Sequence, residues 1–148
     1  MSLQQTLQDE IKKSMLARDA DRLGTLRLLK SALGYVQIEK KTDSLADAEV
    51  VSVIQKEIKK RRDSVEQYQA GGRPELAEKE QKEIGVLETF LPKPFSAEEL
   101  EQLVRATIQE TGAASKKDMG AVIKAVQATA AGRADGKTIS TLVGKLLP

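Results

Sequence analysis

The sequence predicts an all-α protein with two parts, an N-terminal bundle of about four helices and a small C-terminal domain of three helices. Apolar residues recur every three or four positions along almost the whole chain, which is the spacing of a helix face. No stretch alternates apolar and polar residues as a half-buried strand does. Pro92 and Pro94 join the two parts by a stiff, extended link, because two prolines so close together do not fit inside a helix.

The composition limits the chemistry that the chain can carry. Of its 148 residues, 40% are hydrophobic, 31% are charged and 3% are aromatic, so the cores must be aliphatic. Cys and His are both absent, which excludes disulfides, Cys nucleophiles, Ser-His-Asp triads and zinc sites of the Cys/His type. We expect no cofactor and no metal. No apolar run approaches the ~18 residues of a membrane span. The absence of Cys and the polar residues at the N-terminus favour a cytoplasmic location.

The first two helices are predicted from a capping signal and two apolar faces. Ser2 and Gln5 have the spacing of a capping box at the start of the first helix. Its predicted buried face is Leu3, Leu7, Ile11 and Met15. A polar turn at residues 18–21 leads to the second helix, which charged and polar residues at 39–44 end. Its predicted buried face is Leu23, Leu26, Leu29, Leu33 and Val36, widened by Leu28, Ala32 and Tyr35.

The third helix is predicted from Leu45 to Ala70, with a positive charge inside a heptad-like apolar seam. The seam is Val50, Ile54, Ile58, Arg61, Val65 and Tyr68. The Arg61 guanidinium must reach a carboxylate or water, and Glu80 on the apolar side of the fourth helix is one possible partner. The basic residues at 56 and 59–62 fit either a salt-bridged solvent face or a phosphate-contacting face. Gly71 and Gly72 end this helix, Pro74 begins the fourth, and Pro92 ends it.

The domain boundary lies at the two prolines, so we predict an N-terminal domain of residues 1–92 and a C-terminal domain of residues 95–148. In the second domain, a capping box of Ser96 and Glu99 begins a helix over residues 97–111. The second helix runs from Lys116 to about Ala131, capped by Ser115 with Asp118. The third runs from Thr138 to Leu147.

A candidate anion-binding surface lies in the C-terminal domain. The net charge of the whole chain is only +2, but residues 112–148 contain six basic and two acidic residues. The loop from Gly132 to Thr138 leads into a helix N-terminus, where backbone N–H groups attract phosphate. The candidate RNA-binding residues are Arg133, Gly136 and Lys137, supported by Lys116, Lys117 and Lys124. The same loop is explained by an ordinary helix–turn–helix joint capped by Asp135, and the same lysines by the solubility of a small helical domain. Both interpretations stay open.

Nucleotide hydrolysis is not expected at this loop. Its Gly-Lys-Thr end resembles a phosphate-binding P-loop, but three residues separate the glycines where that motif has four. No strand precedes the loop either. Catalytic residues are therefore not predicted here, and the sequence offers no oriented nucleophile–base pair elsewhere.

Several segments in order carry a family resemblance. They are residues 26–33, 60–68, 72–80, 83–92 and 117–120, and the loop Gly-Arg-Ala-Asp-Gly-Lys at residues 132–137. Through them the chain resembles the YqeY family, also called the GatB/YqeY domain, over practically its full length. The resemblance implies a two-part all-α fold. It also implies similarity to the tail of the GatB subunit of glutamine-dependent aspartyl/glutamyl-tRNA amidotransferase, which contacts tRNA while amide transfer takes place elsewhere in that enzyme.

Three functional hypotheses stay open. The leading one is a non-catalytic helical module that contacts tRNA or a tRNA–enzyme complex. The few aromatic residues favour recognition of folded RNA over stacking with single strands. The second is a protein–protein adaptor that docks on an aminoacyl-tRNA synthetase or amidotransferase through the seam of the third helix. The third is the family label of carbon–nitrogen ligase with glutamine as amido-N-donor. The sequence predicts neither the identity of the RNA nor the oligomeric state.

Overall fold

The computed structural model describes residues 2–148, and over this range it contains helices and turns but no strand. The α-helices are α1 (Leu3–Leu16), α2 (Ala20–Lys40), α3 (Asp47–Ala70), α4 (Pro74–Glu88), α5 (Ala97–Thr111), α6 (Met119–Ala130) and α7 (Gly136–Leu146). A 3-10 turn, Lys116–Asp118, precedes α6. The predicted all-α class, with four helices before the prolines and three after them, is confirmed.

The chain divides into two compact units, the first ending at Leu91 and the second covering Pro92–Pro148. Each unit has its own aliphatic core. The first core is built on Leu7, Leu26, Leu29, Leu33, Leu45, Val50, Val53, Ile54, Ile58, Ile84, Leu87 and Phe90. The second is built on Leu100, Val104, Val122, Val126, Ala130, Ile139, Val143 and Leu147. Whether each unit folds independently, as the domain boundaries at 92 and 95 imply, stays a prediction.

The helix ends of the first unit follow mostly from local signals. Gln5 N donates to Ser2 Oγ and Ser2 N donates to Gln5 Oε1, both at 3.2 Å, so the capping box is confirmed. Gly72 has a φ of +73°, and Pro74 is the first residue of α4 as predicted. α4 ends at Glu88, earlier than predicted. After it the chain tightens into a turn in which Phe90 N donates to the Leu87 carbonyl at 3.2 Å, and Phe90 is buried.

Two predicted buried faces of this unit are wrong in part. Met15 is 51% exposed, whereas Ser14 is buried. Residues spaced by four drift about 40° per step around a helix, so Met15 has turned away from the face that Leu3 and Leu7 begin, and Ser14 lies on it. Leu28 and Tyr35 do not widen the buried face of α2, because the neighbouring helices cover only its Leu26, Leu29 and Leu33 side.

Arg61 is the only charged side chain among the buried residues that the structure describes. Its Nε donates to Glu83 Oε2 at 3.0 Å, and its Nη1 donates to Glu57 Oε2 at 3.0 Å. The expected partner Glu80 is therefore wrong. In the α3–α4 hairpin, Arg61 precedes Gly71 by ten residues and Glu83 follows Arg73 by ten, so antiparallel packing brings these two side chains to the same level.

The second unit is a three-helix arrangement in which each of α5, α6 and α7 contacts the other two. Ser96 Oγ accepts from Glu99 N at 3.1 Å, so Ser96 is an N-cap as predicted. Glu99 does not complete the predicted capping box, because its carboxylate faces Arg133 instead. The capping box of Ser115 and Asp118 is present, but it begins the 3-10 turn. α6 begins and ends inside its predicted range of 116–131. α7 begins two residues before its predicted range of 138–147 and ends one residue before the end of that range.

Replacement of the buried arginine tests its role in the α3–α4 hairpin. We expect Arg61→Ala to lower the free energy of unfolding by about 3 kcal/mol, because it leaves the part-buried carboxylates of Glu57 and Glu83 without their partner. Arg62→Ala is the matched control. That neighbour pairs with Glu88 at the surface, and we expect a change within about 0.5 kcal/mol. Urea unfolding measures both, and equal losses would contradict the assignment.

Two carboxyl groups of the first unit have lowered pKa values. Partial desolvation acts to raise the pKa of Glu10, but hydrogen bonds and the positive charges of Lys13 and Arg22 outweigh it and hold the pKa below its usual value. Hydrogen bonds from the Lys40 ammonium and the Ala46 amide lower the pKa of Glu49. Both carboxylates link elements of the same unit, since Arg22 and Lys40 belong to α2.

These pKa values predict how stability depends on pH. A carboxyl whose pKa is lower in the folded chain stabilises the fold above its unfolded-state pKa, and this contribution is lost as the pH falls through the folded-state pKa. We expect Glu10→Gln/Glu49→Gln to unfold more easily in urea than the unchanged chain at about pH 7. The two should converge as the pH falls below about 4.5. Glu66→Gln, at an exposed position of α3, should match the unchanged chain at both pH values. A constant difference across this range would contradict the assignment.

Candidate nucleic-acid interface

All six predicted RNA-binding residues lie in the second unit. Lys116 and Lys117 are in the 3-10 turn, Lys124 is on α6, Arg133 is in the α6–α7 loop, and Gly136 and Lys137 begin α7. The four lysines are exposed. None of them has an ion pair or a side-chain hydrogen bond within the part of the chain that the structure describes. Their ammonium groups are therefore available to an external anion.

The structure brings one side of α6 to the N-terminus of α7. Lys124 and Gln127 are three residues apart and lie on the same face of α6. Gln127 Nε2 lies 3.3 Å from the position that a β-carbon on Gly136 would take. Gly136 allows this approach, and Lys137 follows it directly. Lys124 and Lys137 are thus close in sequence to the two residues of this contact, and Lys117 precedes Lys124 by seven residues.

The first turn of α7 has a mixed character as an anion site. Asp135 is the N-cap, and its Oδ1 accepts from Thr138 N at 2.7 Å, as the sequence predicted. The backbone N–H groups of Gly136 and Lys137 have no acceptor within the described residues. Both residues are exposed. The Asp135 carboxylate lies close to the same amides and makes this turn a weaker anion site than one without an acidic cap.

Arg133 is held by residues of the link and α5. Its Nε donates to the Lys93 carbonyl at 2.8 Å, and its guanidinium lies 3.8 Å above the centre of the Phe95 ring. Phe95 N donates in return to the Arg133 carbonyl at 2.9 Å. Arg133 Nη2 is 3.8 Å from Glu99 Oε2, and the side chain keeps 36% of its surface exposed. We call these contacts among residues 93, 95, 99 and 133 the link latch.

Charge is unevenly distributed in the second unit. α5 contains Glu98, Glu99, Glu101 and Glu110 against the single cation Arg105, which pairs with Glu101 at 2.8 Å. The basic residues from Lys116 to Lys145 lie in the remaining elements. Some cations of the first unit pair with nearby carboxylates, as Arg22 and Arg61 do, and others, such as Lys12 and Lys79, are exposed. Within the second unit, most of the exposed positive charge that lacks a carboxylate partner lies on the 3-10 turn, α6 and α7.

The other candidate binding surfaces that the sequence predicted lie in the first unit. The seam of α3 is not a docking surface, since Val50, Ile54, Ile58 and Arg61 are buried and Val65 packs on the core. The basic run of α3 is in large part salt-bridged, with Lys60 paired to Glu57 and Arg62 to Glu88. A groove of about 380 Å³ between α2 and α4 is lined by both acidic and basic residues. No group of three or more acidic residues in the described range is placed to hold a metal ion.

The sequence did not predict two features of the structure that bear on function. Phe95 was not assigned a role, although an aromatic residue directly after Pro94 in a chain with few aromatics is a visible signal. The second feature is an exposed apolar face on α2, where Leu28 is 55%, Tyr35 75% and Ile38 76% exposed. Their spacing of seven and three was visible, but Leu28 and Tyr35 were assigned to the core.

No helix in the described range is both long and apolar enough to cross a bilayer.

The chain matches one protein family and is similar to several known proteins. The YqeY model, described as Yqey-like protein, matches residues 4–147. An uncharacterized protein of Schizosaccharomyces pombe is 35% identical over 95 residues, which cover 64% of this chain and 76% of that protein. Altered inheritance of mitochondria protein 41, mitochondrial, of Kluyveromyces lactis is 34% identical over 84 residues, 57% of this chain and 45% of that protein. The protein of the same name from Pyrenophora tritici-repentis is 28% identical over 147 residues, 95% of this chain and 78% of its own length.

Proposed function

The chain belongs to the YqeY family, and on this basis we propose that it is a non-catalytic helical module that contacts tRNA or a complex of tRNA with an enzyme. The observation that carries the proposal is the set of exposed lysines in the second unit that lack carboxylate partners. They are Lys116, Lys117, Lys124 and Lys137. The family resemblance to the tRNA-contacting tail of an amidotransferase subunit supports the same partner.

The chemistry of these side chains suits the phosphate backbone of a folded RNA. Lysine ammonium groups neutralise phosphates and position a protein without reading base sequence. Lys124 and Lys137 are three residues and one residue from Gln127 and Gly136, which approach each other, so α6 and α7 both contribute charge to the proposed surface. No exposed aromatic residue accompanies these lysines in the second unit, since Phe95 lies beneath Arg133. Recognition by shape and charge is therefore favoured over base stacking.

The proposed place of action is the cytoplasm, because a chain without Cys suits a reducing compartment. The relatives from Kluyveromyces lactis and Pyrenophora tritici-repentis are mitochondrial proteins by name. The chain matches about half the length of the first of these, so the activity and partners of the whole relative are not transferred to it.

Titration of bulk tRNA into the protein tests the proposal. We expect binding at low salt whose association constant falls about 50-fold between about 50 and 200 mM salt, since four lysines release about three counterions. Lys124→Glu/Lys137→Glu should weaken binding at least tenfold, because it removes two phosphate contacts and adds two repulsive charges. Fluorescence anisotropy of labelled tRNA measures both effects.

A matched variant separates local contacts from net charge. Lys12→Glu/Lys79→Glu makes the same charge change at two exposed lysines of the first unit. We expect its affinity for tRNA to stay within about twofold of the unchanged chain, because neither lysine belongs to the proposed binding surface. Equal losses in the two double variants, or no binding by the unchanged chain at low salt, would remove the proposal.

A second candidate function is favoured by the exposed face of α2. Leu28, Tyr35 and Ile38 lie on one side of this helix, and large apolar side chains exposed together mark interaction sites in many proteins. We propose as the alternative that the chain is an adaptor that docks on an aminoacyl-tRNA synthetase or an amidotransferase. The docking surface is then α2, because the seam of α3 is inside the first unit.

Affinity recovery from lysate with and without ribonuclease distinguishes the adaptor from the RNA module. For an adaptor, we expect the tagged chain to recover one such enzyme after ribonuclease treatment. Leu28→Ser/Tyr35→Ser/Ile38→Ser should abolish that recovery. The control Leu16→Ser, at an 86% exposed residue outside α2, should preserve it. Recovery that requires intact RNA, or that persists in the triple variant, would exclude the adaptor.

A further inference from the structure

We propose that the link latch regulates polyanion binding, because Arg133 exchanges its contacts with the link for contacts with a phosphate. This inference rests on the proposed function. In the free chain, the link latch engages one face of the guanidinium with the Phe95 ring and its Nε with the Lys93 carbonyl. The RNA-binding lysines have no such internal partner among the residues that the structure describes. Arg133 is thus the predicted phosphate contact whose side chain is already occupied.

The link latch opposes an anion at Arg133 in the observed conformation. Glu99 Oε2 lies 3.8 Å from Nη2, so a phosphate that approaches this side of the guanidinium meets a negative charge. The Asp135 carboxylate at the start of α7 adds a second one nearby. Arg133 therefore becomes a good phosphate ligand only after its side chain turns away from Glu99 and Phe95.

The contacts of the link latch are weak enough for a polyanion to replace them. Both Arg133 and Glu99 are exposed by a third or more, and ion pairs and cation–π contacts at such positions are weakened by solvent. A phosphate can form two charge-assisted hydrogen bonds to one guanidinium. The neighbouring Lys137 and the amides of Gly136 and Lys137 hold the phosphate backbone close to Arg133. A polyanion therefore interacts better with the released state and shifts the population towards it.

Release of Arg133 has a local structural consequence. Residues 93–95 are tied to the α6–α7 loop in both directions, by Arg133 Nε to the Lys93 carbonyl and by Phe95 N to the Arg133 carbonyl. Loss of the side-chain contacts leaves only the backbone hydrogen bond. We therefore expect polyanion binding to loosen the link, although binding normally protects a surface.

Hydrogen exchange of the intact protein, with and without saturating tRNA at low salt, tests this exchange of partners. The amide of Phe95 should exchange about threefold or more faster with tRNA, while amides within α5 keep their rates. Arg133→Ala should show the faster exchange without tRNA and no further increase with it. Slower or unchanged exchange at Phe95 in the tRNA-bound chain would overturn the proposal.

The affinity for tRNA provides a second measurement, in which a variant is expected to bind more tightly than the unchanged chain. Phe95→Leu keeps an apolar side chain for the core of the second unit but removes the ring beneath the guanidinium. We expect it to bind tRNA about threefold more tightly than the unchanged chain, since the competing cation–π contact is lost. The control Tyr68→Leu, an aromatic replacement in α3, should leave the affinity unchanged. Thermal unfolding of Phe95→Leu verifies that the second unit stays folded.

The outcomes separate this inference from the function on which it rests. If the unchanged chain does not bind tRNA, the proposed function and the role of the link latch both fail. If it binds, but a folded Phe95→Leu binds equally or more weakly, or exchange at Phe95 does not rise, only the role of the link latch fails.

Discussion

Burial of aliphatic side chains between helices is the interaction on which both units depend. The chain has no Cys, no Trp and only 3% aromatic residues, so neither disulfides nor large ring clusters contribute. Leu26, Ile54 and Ile84 are almost completely buried in the first unit, as are Val104 and Val143 in the second. Each such side chain stabilises the fold by about 1.5–3 kcal/mol relative to an exposed one. A charged group inside these cores must be paired, which explains why Arg61 has two carboxylate partners.

The same constraint determines where charge is available for binding. Helices that pack on aliphatic faces place their charged residues at the surface, where pairing depends on the sequence of the neighbouring helix. In the first unit Arg22 and Lys40 find carboxylates within reach. In the second unit the acidic residues concentrate on α5 and the lysines on the later elements. This separation of the two charges within one small unit is the feature that we propose a polyanion recognises, and Arg133 of the link latch lies beside Glu99 of the acidic α5.

Helix ends that depend on signals within a single turn were predicted well. Ser2, Ser96 and Asp135 cap helices as their spacing indicates, and Pro74 begins α4. Ser115 and Asp118 form the predicted capping box, although a 3-10 turn follows it before α6. The predicted faces failed where the apolar residues surround too much of a helix. α2 offers Leu26 and Leu29 on one side and Leu28 and Tyr35 on another, and periodicity does not state which side a neighbour covers.

The order of amino acids alone was enough to predict the helices, the aliphatic nature of both cores and the basic character of the C-terminal region, because hydrogen bonds within a turn, side-chain periodicity and composition are local properties. It was the packing of the helices that paired Glu83 with Arg61, left an apolar face of α2 in solvent and brought Arg133 to Lys93. Arg61 and Glu83 are 22 positions apart in the chain, and Lys93 and Arg133 are 40 positions apart. Contacts at such separations depend on how whole helices and loops pack, which no short segment encodes.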